Sequence, residues 1–191
     1  MLYGVYKTAR NASWQCLSDY KVDSLPVKVS EIAKQAGIVI LKNSDVNELE
    51  EGQSGLTTWQ DGKFYIVYRD TEPSYRCRFT IAHELGHIFL GHVMIDTPMY
   101  RTFAINNDNE SAANVFARDL LAPACVLHEL GITNATDIAK LCNISPTAAG
   151  YRAERMAILE ARNAWYMHPL EHQVYRQFEK FIRETINNFR L

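Results

Sequence analysis

The segment from Phe79 to Phe89 constrains the fold more than any other part of the chain. Its apolar side chains recur at three- and four-residue steps, the spacing of one helix face. Within it, His83 and His87 lie four residues apart and flank Glu84. Positions four apart on a helix differ by only about 40° around the axis, so both imidazoles can reach one ion. The pattern H-E-x-x-H therefore predicts an amphipathic helix whose polar face binds a metal.

Glu84 lies between the two histidines around the helix axis, so it can stand over the same ion without ligating it. From there its carboxylate could take a proton from a water whose pKa zinc has lowered to about 7. The alternative is a partly buried helix with no metal. That alternative is costly, because two buried imidazoles and a carboxylate would need other hydrogen-bond partners.

A catalytic zinc needs a third protein ligand, and three side chains are candidates. His92 follows His87 by five residues, which does not fit the elongated His-rich motif, so we expect a capping or surface residue. His128 has no partner at a useful spacing and is expected to be a solvated or core histidine. Glu110 begins the next predicted helix after a polar break over residues 97–109, which lets that helix return antiparallel. Glu110 is the preferred third ligand.

Two neighbours of Glu110 favour this choice. Ala113 and Asn114 follow it by three and four residues and share its helix face. Ala113 would let the two helices approach closely, and Asn114 could hydrogen-bond a metal ligand. The alternative for Asn114 is an ordinary amide on a helix surface.

Composition indicates a globular protein, since 47% of the 191 residues are hydrophobic and 22% are charged. A net charge of −2 argues against a dedicated nucleic-acid binder. The longest apolar stretch, residues 120–127, is far below the roughly 20 residues needed to span a bilayer. We expect a cytoplasmic protein with reduced thiols, because the N-terminus has no apolar signal segment and the four cysteines show no C-x-x-C spacing.

The order of predicted elements is helices, a small β-meander and further helices, which indicates a mostly helical α+β fold. Around Asp61-Gly62 the sequence predicts a β-hairpin over residues 57–68. The other elements expected are helices over residues 6–20, 29–35, 110–121 and 169–189, a strand over residues 38–41, and two short helices over residues 137–155. We expect an N-terminal helical extension (1–25), a main domain (26–165) and a C-terminal amphipathic helix (166–191).

Two motifs in order carry a family resemblance. The chain reads R-F-T-I-A-H-E-L-G-H over residues 78–87, and then E-x-x-A-N-x-F-A-x-x-L-L-x-P over residues 110–123. With Gly91-His92, these motifs resemble the ImmA/IrrE family of metallo-endopeptidases, over roughly residues 25–160. Where the family usually has methionine before the proline, this chain has Ala122, a change in packing only.

The resemblance implies a zincin-like peptidase domain in which His83, His87 and Glu110 hold Zn²⁺ and Glu84 is the catalytic base. It also implies a protein substrate, a helix-turn-helix repressor encoded beside the peptidase in a mobile element or stress locus. A different interpretation is a protein that sequesters the repressor, or a toxin–antitoxin-like component, with a structural metal.

Residues 137–155 also resemble a helix-turn-helix, with Asn143 at the turn. In a DNA-binding module, Arg152 and Arg155 would face phosphates. Two basic residues make weak DNA contacts, so direct nucleic-acid binding is not expected and structural helix packing is the favoured interpretation.

Overall fold

The computed structural model describes residues 3–93 and 107–189. Its helices are α1 (Tyr3–Asp19), α2 (Val29–Gln35), α3 (Asn43–Val46), α4 (Ser74–Phe89), α5 (Asn107–Leu121), α6 (Ala124–Glu129), α7 (Ala135–Cys142), α8 (Pro146–Arg162) and α9 (Pro169–Phe189). The strands are β1 (Val39–Lys42), β2 (Gly55–Gln60) and β3 (Lys63–Tyr68). The predicted α+β fold, mostly helical with a small sheet, is confirmed. The expected polar break over residues 97–109 lies mainly outside the described residues.

The three strands form one sheet within the described ranges, in the order β1-β3-β2. β2 and β3 are the predicted hairpin, and Asp61 and Gly62 have φ values of 50° and 75° at its turn. A two-residue hairpin turn of type I′ requires positive φ at both central residues. β1 pairs in parallel with β3, the central strand, and places Ile40 opposite Ile66.

Helix α4 packs on the face of the sheet that carries Thr57 and Gly55. A Cβ atom at Gly55 would lie 2.3 Å from Cγ2 of Thr80 and 3.0 Å from Oε1 of Glu84. Glycine at that position therefore lets the strand lie directly against the helix. Ile66 from the sheet and Leu85 from α4 are fully buried. The close approach at Gly55 sets the distance between α4 and β2.

The chain divides into two compact units. One unit comprises the described residues of Met1–Ala12 and Val29–Ala117, and it contains the sheet, α2, α3 and α4. The other comprises the described residues of Ser13–Lys28 and Arg118–Leu191, and it contains α6 to α9. In this second unit α6 packs on α9 and α7 on α8. Its core includes Leu127, Met156 and Phe178, all with no exposed surface.

The helix-turn-helix-like segment differs from its DNA-binding interpretation at one decisive residue. α7, α8 and the left-handed Asn143 between them follow the predicted pattern, although α8 continues to Arg162. Arg152, however, is 1% exposed and donates to Oδ1 of Asp119 at 2.6 Å and to the carbonyl of Arg118 at 2.8 Å. A guanidinium buried in this way is not available to a phosphate. Arg152 therefore cannot take the role that the DNA-binding alternative gave it, and its buried ion pair agrees with the favoured interpretation, structural helix packing.

Short α6 had no counterpart in the sequence prediction, which ended the preceding helix at Pro123. The chain resumes helical structure directly after that proline, and Ala124, Cys125, Val126 and Leu127 are all buried. A six-residue helix with only four apolar residues is too short for helical periodicity to identify. In the described parts of the chain, no helix combines the length and apolarity that crossing a bilayer requires.

Candidate metal centre

Helix α4 presents His83 and His87 on one face, while its other face is anchored in the core. Ala82 and Leu85 have no exposed surface. The side chain of His87 is 6% exposed and that of His83 is 16% exposed. The histidine face is therefore nearly buried as well, which restricts each imidazole to a narrow range of orientations.

Helix α5 passes close to α4 at Gly86. A Cβ atom at Gly86 would lie 3.2 Å from Cα of Ala113 and 3.1 Å from Cδ1 of Phe116. Glycine on α4 and alanine on α5 thus allow the two helix backbones to approach. Glu110 lies one turn before Ala113 on α5, so this approach brings its carboxylate to the histidines.

The side chains of His83, His87 and Glu110 form a compact group that we call the donor triangle. Nε2 of His83 and Nε2 of His87 are 3.0 Å apart. Oε2 of Glu110 lies 3.2 Å from Nε2 of His83, and Oε1 lies 3.3 Å from Nε2 of His87. Ligands bound at about 2.0–2.1 Å to a tetrahedral ion lie about 3.3 Å from one another. The donor set and its spacing therefore fit a small tetrahedral ion such as zinc, and the triad is a group that could hold a metal.

Asn114 meets His83 on the side opposite the triangle. Its Oδ1 lies 3.0 Å from Nδ1 of His83. Because an amide oxygen only accepts, the proton of a neutral His83 belongs on Nδ1. Nε2 then keeps its lone pair and points toward His87 and Glu110, as a metal ligand must.

Electrostatics keep His87 neutral. Burial, followed by the neighbouring imidazoles of His83 and His92, lowers the pKa of His87 from 6.5 to about 3. Burial also lowers the pKa of His92. A neutral imidazole is the form that binds a metal, so His87 is in its metal-binding form near pH 7.

Glu84 follows His83 directly on α4 and is not one of the three residues of the donor triangle. It is 9% exposed, and its Oε2 accepts a hydrogen bond of 2.6 Å from Oγ1 of Thr57 on β2. The sequence analysis did not single out Thr57. The only signal available was the alternation of β2, and alternation does not reveal which strand residue meets which helix residue.

The other two ligand candidates have different surroundings. His128, in the second unit, pairs through Nδ1 with Oε1 of Glu160 at 2.7 Å and stacks on Trp165. His92 lies against the ring of His87, with 3.2 Å between the two Nδ1 atoms. Neither one joins the donor triangle.

Comparison with known families agrees with this geometry. Residues 33–154, more than half of the chain, match the model of the IrrE N-terminal-like domain, peptidase family M78. The chain belongs to this family. The IrrE-like match includes all of α4 and α5, and with them every residue of the donor triangle. No curated protein matches the chain.

Membership settles the class of the protein at a coarse level. An IrrE-like domain of this type is a metallopeptidase with a zincin-like α+β fold, acts on a protein substrate and requires a metal. The His83, His87 and Glu110 group is a candidate for holding that metal.

Proposed function

We propose that this chain is a zinc-dependent endopeptidase in which His83, His87 and Glu110 hold the ion and Glu84 is the general base. The observation that carries the proposal is the convergence of the two histidine Nε2 atoms and the two carboxylate oxygens of Glu110, with separations of 3.0, 3.2 and 3.3 Å. The helix that carries the histidines also carries the buried carboxylate of Glu84. Two imidazoles and a carboxylate with an open fourth position are a common ligand set of catalytic zinc.

When bound, zinc would supply a Lewis acid that polarises the scissile carbonyl and makes water more acidic. Glu84 would accept the proton of the attacking water and then deliver it to the leaving amine. Asn114 holds the His83 ring through Nδ1, and burial keeps His87 in place.

We further propose that the substrate is a helix-turn-helix repressor and that the chain acts as an anti-repressor of a mobile element or stress locus. The resemblance to the ImmA/IrrE family supports this choice of substrate. We propose a cytoplasmic location as well. The four cysteines are reduced thiols and form no disulfide, which supports a reducing compartment.

The test replaces Glu84 by Gln, which keeps the size and polarity of the side chain but removes its basicity. Wild type and variant would be loaded with zinc and incubated with a peptide library made from a bacterial proteome, with new amino termini identified by mass spectrometry. Glu154→Gln, an exposed change on α8, is the matched control.

The proposal expects cleavage by wild type and Glu154→Gln, and a loss of at least about 100-fold in Glu84→Gln at equal zinc content. Equal cleavage by Glu84→Gln would refute its role as base. In a second arm, the three proteins are co-expressed with a reporter controlled by a helix-turn-helix repressor from the same locus. Relief of repression by Glu84→Gln would favour the sequestering interpretation over proteolysis.

A further inference from the structure

The turn that ends α4 brings His92 back over His87. Gly91 has a φ of 71°, in the left-handed region where glycine carries no penalty. The amide of His92 donates to the carbonyl of His87 at 2.9 Å, and the amide of Gly91 donates to the carbonyl of Ile88 at 3.0 Å. This pair of bonds is a Schellman motif, in which residue six returns to residue one. Residue 92 is thus tied to residue 87 by the backbone.

The side chains of the same two residues also meet. Their Nδ1 atoms are 3.2 Å apart, and the ring planes cross at 68° with centroids 5.2 Å apart. The separation is that of a hydrogen bond between two ring nitrogens, so one of them donates and the other accepts. The direction of this bond determines which ring nitrogen of His87 carries the proton and which one offers its lone pair to a metal.

The remaining contacts of His87 set that direction. Its Nε2 faces Nε2 of His83 and Oε1 of Glu110, so this is the atom that would bind the ion. A neutral imidazole that binds through Nε2 carries its proton on Nδ1. Nδ1 of His87 must then donate to Nδ1 of His92, and the proton of His92 lies on its own Nε2.

We propose that His92 is a positioning residue of the metal centre, accepting the Nδ1 proton of His87 and thereby holding that ring with Nε2 toward the ion. This inference rests on the proposed function, because it takes His87 to be a zinc ligand. A carboxylate, a carbonyl or a water usually accepts this proton in zinc sites. Here a third imidazole would do so, and the Schellman turn at Gly91 would fix its position.

The test compares two substitutions of His92 of similar size. His92→Asn supplies an amide oxygen that can accept the proton, whereas His92→Leu supplies no acceptor. The control is His172→Leu on α9, which removes an imidazole packed against Tyr175. The zinc dissociation constant of each protein would be measured by competition with a chromophoric chelator, and folding would be verified by circular dichroism.

We expect His92→Leu to bind zinc about 10- to 100-fold more weakly than wild type, with His92→Asn recovering most of the loss. His172→Leu should bind like wild type. Equal affinity of His92→Leu and wild type would overturn the positioning role while leaving the proposed function intact. A wild-type protein that binds no zinc would instead overturn the proposed function.

A measurement on the wild type alone covers the case in which His92→Leu does not fold. Two-bond ¹H–¹⁵N correlation spectra report which ring nitrogen of each histidine carries the proton. In the zinc-loaded protein we expect the proton on Nδ1 of His87 and on Nε2 of His92. A proton on Nδ1 of His92 would reverse the hydrogen bond and contradict the inference.

Discussion

Gly86 lies where α4 passes close to α5, and a single methyl group there should disturb the metal centre. In Gly86→Ala, the added Cβ would lie 3.2 Å from Cα and 3.3 Å from the carbonyl oxygen of Ala113. Both are backbone atoms, so no side-chain rotation can relieve the contact. The expected response is a shift of α5 by a few tenths of an ångström. Because Glu110 is one turn away on α5, its carboxylate moves relative to the histidines.

Two opposing effects decide the stability of this variant. Alanine favours a helix over glycine by about 1 kcal/mol. Overpacking against an immovable neighbour costs about 1–3 kcal/mol. We therefore expect a net loss of about 0–2 kcal/mol in the free energy of unfolding. Gly150→Ala on α8 is the matched control, since no atom lies within 4 Å of its added Cβ. That variant should gain about 1 kcal/mol.

Urea unfolding of both variants in the presence of a chelator measures these energies, and the difference between the variants isolates the steric cost. Zinc affinity, measured by competition, should fall about tenfold in Gly86→Ala, equivalent to about 1.4 kcal/mol. It should be unchanged in Gly150→Ala. If Gly86→Ala gains as much stability as Gly150→Ala and binds zinc like wild type, the close approach does not position Glu110 and the reasoning fails.

Three further predictions concern polar contacts. Thr57→Val should lower kcat about 10- to 100-fold at unchanged zinc content, because Glu84 loses a hydrogen bond worth about 1.5–3 kcal/mol. Thr57→Ser keeps the hydroxyl group and should restore activity. Asn114→Ala should weaken zinc binding about 10- to 100-fold in the competition assay, because the His83 ring loses its acceptor. Asp119→Asn should lower the free energy of unfolding by about 3–5 kcal/mol, because it leaves the buried charge of Arg152 without the carboxylate that pairs with it. Urea unfolding measures that last change.

Each of these predictions has a control and a contradicting result. Thr58→Val, at the next residue on β2, is the control and should keep full activity. Wild-type activity in Thr57→Val would show that Glu84 does not need the hydrogen bond from Thr57. For Asn114→Ala, restored zinc binding in Asn114→Asp is the control, and wild-type affinity in Asn114→Ala would contradict the role. For Asp119, a loss below about 1 kcal/mol would mean that the pair is not effectively buried.

The Asp119 pair also predicts a pH dependence of stability. Burial alone would raise the pKa of Asp119, but the guanidinium groups of Arg152 and Arg118 outweigh it and hold the pKa below its ordinary 3.8. A carboxyl with a depressed folded pKa contributes stability that is present above the unfolded pKa and lost as pH falls through the folded pKa. Wild type should therefore lose this contribution below about pH 4, whereas Asp119→Asn, which lacks the carboxyl, should not.

Sequence periodicity predicted the elements whose pattern is local. The hairpin at Asp61-Gly62 follows from turn chemistry, and helix α9 matches its predicted bounds because a long amphipathic stripe is unambiguous. The two histidines on one face of α4 follow from helix geometry alone. These features need no knowledge of the tertiary structure.

Contacts between elements could not be predicted in this way. Thr57 reaches Glu84 because β2 packs directly against α4. That packing depends on the close approach at Gly55, which no local sequence pattern reveals. The DNA-binding alternative placed Arg152 toward phosphates, because no local pattern reveals its buried partner Asp119, which is 33 residues away in sequence. His92 was expected to cap the helix or lie on the surface. Its backbone does close the end of α4, but the contact with the His87 ring depends on side-chain orientation.

The central claim is that His83, His87 and Glu110 together hold one zinc ion. Its most direct test is the metal content of the purified protein, measured by inductively coupled plasma mass spectrometry beside His87→Ala and the control His172→Ala. The account predicts about one zinc per chain in wild type and in the control, and none in His87→Ala. Wild-type protein that holds no metal after zinc is supplied at neutral pH would contradict it.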